Sequence, residues 1–202
     1  MKIIHLSDTH NLHYALPDLP AADIIVHSGD VSMSGTADEI ADFIDWFDSL
    51  DGKHKIFIGG NHDFCLEDKD PLLIRKFLPE DMHYLCNSGV TIAGLRFWGI
   101  PYFISGECHH ENYRKALASI PNDIDILLTH CPPFEILDVG RYGNMGCPQL
   151  LDAVRRIRPH YHLFGHIHDA YGSMSDGKTT FINGAILNEE YEFDNAPVSI
   201  NL

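Results

Sequence analysis

Lys2-Ile3-Ile4-His5-Leu6-Ser7-Asp8-Thr9-His10 opens with a short apolar run and breaks off in a polar cluster that carries a carboxylate and an imidazole. A run of this length with branched side chains reads as a buried strand. The same form returns four times: residues 23–27 before Gly29-Asp30, 55–58 before Gly60-Asn61-His62-Asp63, 124–128 before Thr129-His130, and 161–164 before Gly165-His166-Ile167-His168. An amphipathic helix over 38–50, with Phe43, Trp46 and Phe47 on one face, separates two of the early strands. That alternation predicts β-α-β units in a largely parallel sheet. Loops beyond the carboxyl ends of such strands converge on the ligand crevice, so five clusters placed this way can meet at one point.

Outward from this pattern, residues 82–85, 90–93 and 96–99 read as short strands separated by Asn87-Ser88-Gly89 and Gly94, an antiparallel section that makes the sheet mixed. Helices are predicted over 111–119 and 148–157, the second stopping before Pro159. The end of the chain reads as β, over 171–174, 179–183 and 198–201. With 202 residues, 45% of them apolar, one globular domain spanning 1–202 is expected.

The balance of 14 basic and 29 acidic residues gives a net charge of −15. Such an excess repels phosphate polyanions and acidic lipid, which argues against polymeric nucleic acid and membrane as partners. A phosphate-bearing substrate would need local positive charge, and bound divalent cations supply it. The five cysteines, Cys65, Cys86, Cys108, Cys131 and Cys147, form no C-x-x-C pair, and their odd number argues against a disulfide framework. No leader pattern and no run of about eighteen apolar residues is present. A soluble cytoplasmic protein is the expectation.

The clusters supply three carboxylates (Asp8, Asp30, Asp63), one amide (Asn61) and five imidazoles (His10, His62, His130, His166, His168). Mixed imidazole and carboxylate donors suit Zn, Mn and Fe better than Ca or Mg. Seven or eight ligands exceed the needs of one ion, whereas two ions sharing a carboxylate would use them all. Two such ions neutralise phosphate oxygens and activate water for attack on a phosphate ester. His62, next to the ligand Asn61, would stand at the rim as proton donor to the leaving group, and Asp63 would orient it.

The ordered blocks Asp8-Thr9-His10, Gly29-Asp30, Gly60-Asn61-His62-Asp63, Thr129-His130 and Gly165-His166-Ile167-His168 resemble the calcineurin-like metallophosphoesterase superfamily. The resemblance implies an α/β fold, a four-layer αββα sandwich of two mixed sheets flanked by helices. It implies that Asp8, His10 and His168 bind one metal, that Asn61, His130 and His166 bind the other, that Asp30 bridges them, and that His62 is the general acid. Gly146-Cys147, the 150–158 helix and the run from His162 to Asn183 are similar to the small metallophosphoesterase-domain-containing proteins, which resemble cyclic-nucleotide phosphodiesterases. Aspartate stands at 63, where that subgroup commonly has glutamate.

A dinuclear hydrolase of small phosphate esters follows, with Mn first among metals and Fe or Zn as alternatives. Phosphodiesters such as cyclic nucleotides are the first substrate class; phosphomonoesters or phosphoproteins are the alternative. A non-catalytic metal-binding scaffold is the rival from another class, although no ligand is missing.

Other residues carry blander readings. Histidines outside the motif read as surface or half-buried, with His13 the nearest candidate for substrate contact and His109-His110 as solvent-exposed neighbours. Arg141 and Asn144 lie in a glycine-rich stretch where an arginine could clamp phosphate but reads first as solvated. Trp98 and Phe103 flank Pro101 and read first as packing, and nothing marks Cys131 as a nucleophile.

Overall fold

The computed structural model describes residues 1–67, 69–102 and 111–202, so Phe103, Cys108 and the His109-His110 pair lie outside the described residues. Alternation along the strands decides the layering. In β1 (Lys2–Leu6), Ile4 and Leu6 join one apolar cluster while Ile3 faces another. β2 (Ala22–His27) and β3 (Gly52–Phe57) divide likewise: Ile25 and Phe57 pack with Phe43, Trp46 and Phe47 of helix α1 (Ala37–Ser49), whereas Ile24, Val26 and Ile56 face inward. Thr36 starts α1 with a reciprocal capping box to Glu39.

The inward cluster is shared with a second sheet. Ile126 and Leu128 of β7 (Ile126–Thr129), Leu163 of β10 (Tyr161–Phe164) and Ile182 of β12 (Thr180–Asn183) complete it. Their alternates Leu127, Phe164 and Phe181 pack instead with Tyr113 and Leu117 of α4 (Glu111–Ser119) and with Leu150, Val154 and Ile157 of α5 (Pro148–Ile157). Three apolar layers between four structural layers result: helix, sheet, sheet, helices.

The first sheet runs β13 (Val198–Asn201), β1, β2, β3 and β4 (Met82–Tyr84). The second runs β11 (Gly172–Ser175), β12, β10, β7, β6 (Leu95–Ile100) and β5 (Ser88–Ile92). Both have parallel centres, and β13, β11 and β5 are the antiparallel edges. Short helices α2 (Phe64–Glu67) and α3 (Pro71–Arg75) follow β3, and a small ribbon, β8 (Val139–Gly140) with β9 (Gly143–Asn144), precedes α5.

The stretch from Met82 departs from its sequence reading. β4 pairs parallel with β3 in the first sheet, and the chain then crosses to the second sheet, where Ser88 and Gly89 begin β5 instead of forming a turn. Local apolar spacing cannot report which sheet a three-residue strand joins. Trp98 lies within β6, as the strand read over 96–99 requires.

Four histidines read as surface or half-buried are in fact buried: His5, His13, His27 and His162. His13 packs on Trp46, with ring centroids 4.9 Å apart, and lies 3.3 Å from Asp42, remote from substrate contact. The other three brace the polar loops. His5 Nε2 meets Ser28 Oγ at 2.9 Å, His162 Nε2 meets Thr129 Oγ1 at 2.8 Å, and His27 accepts from the Gly29 amide while meeting Thr9 Oγ1 at 3.1 Å.

Burial lowers His5, His27 and His162 to about 3. Below pH 6.5 the unfolded chain binds protons that these native rings refuse, so stability falls as pH falls, by up to about 1.4 kcal/mol per unit per ring. Urea midpoints measured at pH 7, 6 and 5 are expected to drop progressively. A midpoint constant across that range would refute the bracing role of neutral rings.

Candidate metal centre

The polar loops open from one edge of both sheets. Asp8 and His10 follow β1, Asp30 follows β2, Asn61 and His62 follow β3, His130 follows β7, and His166 and His168 follow β10. Those strands divide between the two sheets, so the side chains meet across the seam. Backbone links close the seam there: the Ser7 amide donates to Gly184 and the Ile186 amide to Ser7.

Ligand atoms of Asp8, His10 and His168 lie within 4.8 Å of one another, as do those of Asp30, His130 and His166. Asp30 Oδ2 stands between the groups, 3.2 Å from His130 Nε2 and 3.7 Å from His10 Nε2. Asn61 Oδ1 is 3.1 Å from His130 Nε2. His62 comes closer than its sequence position suggested, forming a further group with His10 and Asp30.

The local backbone is bent to achieve this. Asp8, His10, Asp30 and His166 all have positive φ, between 42° and 70°. Such residues cost about 1–3 kcal/mol each and persist where the surroundings hold them. Helix capping or loop packing gives no reason for four such residues to gather. Neighbouring glycines clear the space: a Cβ on Gly165 would overlap Asp8 Oδ2, and one on Gly60 would overlap Asp30 Oδ1.

Hydrogen bonds set the ring tautomers. His130 Nδ1 donates to Ser28 O and His168 Nδ1 to Asn188 O, both at 2.9 Å, which turns each Nε2 inward as a potential ligand. His10 Nε2 and His168 Nε2 face each other at 3.4 Å, an approach that a shared proton or cation makes tolerable. The nitrogen and oxygen donor set fits divalent transition metals.

Electrostatics run the same way. Burial opposes charge on Asp8 and Asp30, yet His168 with His130 holds Asp8 well below the usual carboxylate range, and His130 lowers Asp30. Burial likewise opposes protonation of His130 and His168, but Asp30 lifts the first to about 9 and Asp8 lifts the second to about 9. On His10 and His166 burial prevails, and both fall to about 4. The cluster is built to hold positive charge, which a metal provides by displacing protons.

Asp63 corrects its sequence reading. Its buried carboxylate accepts from the amides of Val31, Ser32 and Gly60 and from Ser32 Oγ, and burial with Asp30 nearby pushes it up to about 6. The His62 ring is oriented by Met33, whose carbonyl accepts from Nδ1 at 2.8 Å. Asp63 therefore positions the loop, not the imidazole. Asn144 is likewise tied away, donating to Asp138 at 2.7 Å.

Two residues that the sequence reading missed, Glu189 and Tyr191, line the cleft of about 160 Å³ over this centre. They belong to a segment after β12 with no recognisable motif; its one local signal is an aromatic among acids, Asn188-Glu189-Glu190-Tyr191-Glu192.

The profile described as calcineurin-like phosphoesterase matches residues 1–170. The chain belongs to the calcineurin-like phosphoesterase family. Similar proteins include human metallophosphoesterase domain-containing protein 1, 32% identical with 100% of this chain and 71% of the relative covered. UPF0046 protein C25E10.12 of Caenorhabditis elegans is 33% identical, covering 100% and 81%. Among solved structures, TT1561 of Thermus thermophilus matches 90% of this chain and 88% of its own with a TM-score of 0.60 at 17% identity, a likeness of fold. As a calcineurin-like phosphoesterase, the protein is a metal-dependent hydrolase of phosphate esters.

Gly165→Ala tests the geometry, because its methyl group would displace the Asp8 carboxylate. Manganese affinity by calorimetry is expected to fall at least about tenfold, the scale of losses when ligand support is disturbed. An unaltered isotherm would show that Asp8 has no part in binding.

Proposed function

We propose that this phosphoesterase hydrolyses small phosphodiesters, cyclic nucleotides first among them, as a single domain spanning 1–202. Asp8, His10 and His168 would hold one divalent ion, Asn61, His130 and His166 the other, with Asp30 shared and manganese the first choice of metal. The observation that carries this reading is the placing of Asp30 Oδ2 between two triads of donors, with His62 at their rim.

Bound there, the ions would neutralise phosphate oxygens and acidify water. The chain's own residues supply the rest. His62 keeps its Nδ1 proton on the Met33 carbonyl, so Nε2 is the nitrogen free to deliver a proton. As the bond from phosphorus to the leaving oxygen breaks, that proton passes to the oxygen and the ring becomes neutral. The Asp30 Oδ1 hydrogen bond from the His62 amide, 2.8 Å, ties the donor's backbone to the shared carboxylate.

Among the described residues, no lysine or arginine lines the cleft. A monoester dianion would bring a second charge without a lysine or arginine to receive it, which favours the singly charged diester; a monoester remains the second reading. No helix among the described residues is long and apolar enough to cross a membrane. Cys65, Cys86 and Cys131 are free thiols among the described residues, and a reducing cytoplasm is the compartment that suits them.

His62→Ala is expected to slow hydrolysis of alkyl phosphodiesters by about 10²–10⁴-fold, the range for a positioned acid. Hydrolysis of bis(4-nitrophenyl) phosphate, whose leaving group departs without a proton, should fall much less. Equal losses on both substrates would remove His62 from the acid role, and no turnover by manganese-loaded wild type would overturn the phosphodiesterase reading.

A further inference from the structure

We propose that the 188–192 loop is the subsite for the organic group of the substrate, Tyr191 giving a stacking face and Glu189 penalising a second phosphate charge. The assignment rests on the phosphoesterase reading above and deepens it to esters of aromatic or heteroaromatic groups. Tyr191 packs edge-on against two candidate ligands, with ring centroids 4.9 Å from His10 and 5.6 Å from His168. His62 lies 4.7 Å from the same His10 ring. Tyr191 and the proton donor therefore flank one imidazole, which places the tyrosine beside the group that leaves.

The loop is built to present this ring. Tyr191 has a φ of 60°, a strained conformation for a bulky residue. Its amide donates to Asn188 O at 3.0 Å, the same carbonyl that fixes His168, while Asn188 Oδ1 accepts from the amides of Glu190 and Glu192. One asparagine thus sets both a ligand's tautomer and the pose of the aromatic above it. Tyr191 remains 38% exposed, so it has surface left for a partner. Bases stack on such rings whatever their identity. Glu189 stands in the same cleft, and its carboxylate repels a dianion about twice as strongly as a monoanion.

Manganese-loaded wild type, Tyr191→Ala and Glu189→Gln, each checked for an unchanged thermal midpoint, would be titrated with adenosine 5′-monophosphate and with inorganic phosphate. Tyr191→Ala is expected to weaken the nucleotide about tenfold while leaving phosphate within about twofold, and Tyr191→Phe to recover most of that loss. Glu189→Gln should tighten phosphate about threefold, an effect that shrinks with added salt. Equal weakening of both ligands by Tyr191→Ala, no weakening, or no phosphate gain in Glu189→Gln would overturn the assignment. Turnover of bis(4-nitrophenyl) phosphate separates the two readings: KM rises in Tyr191→Ala with kcat held. A wild type that binds in the expected pattern yet hydrolyses nothing refutes the activity while the subsite stands.

Discussion

Two carboxylates, Asp8 and Asp30, are buried at 0% and 2% exposure, and the need to compensate their charge governs everything around them. An unpaired charge in such a place is among the costliest features a fold can carry. The surrounding imidazoles answer that need: His130 and His168 take up charge that burial would deny them, because Asp30 and Asp8 lie beside them. The positive φ of Asp8, His10, Asp30 and His166 at the strand ends serves to bring these partners together.

The cost of that arrangement falls on the scaffold. Positive φ at Asp8, His10, Asp30 and His166 must be held by neighbouring structure, and the fold supplies it from behind. His5, His27 and His162 reach the backs of the loops at Ser28, Thr9 and Thr129. The Asp63 carboxylate gathers three amides from the loops that carry Asp30 and Asn61. Titratable groups here do two jobs, coordination at the front and bracing behind; burial disfavours charge on all of them, and only beside Asp8 and Asp30 do His130 and His168 keep it.

Much of this was legible from residue types. Strand, polar cluster and glycine recur because each feature has its own cause: apolar alternation for the layers, a donor at each strand end, and a glycine where a neighbouring carboxylate comes too close for a Cβ. What escaped was whatever depends on contacts between distant segments. The Met33 carbonyl that orients His62 is a backbone atom, invisible to side-chain reasoning. Histidines 5, 27 and 162 look alike in sequence to surface histidines, since only the packing of both sheets buries them. Glu189 and Tyr191 reach the cleft because Ser7 bridges to Ala185, a pairing between residues at opposite ends of the chain.

That bridge lies at the seam, and the seam runs through both ligand groups. Asp8 and His10 come from the first sheet and His168 from the second; Asp30 comes from the first, His130 and His166 from the second. Neither sheet owns a complete set. A cation in either group would therefore act as a rivet between two leaves, joining residues far apart in the chain much as a cross-link does. Sliding of one leaf against the other, which the apolar layer between them resists only without direction, would then be opposed at a single edge by bonds that have direction.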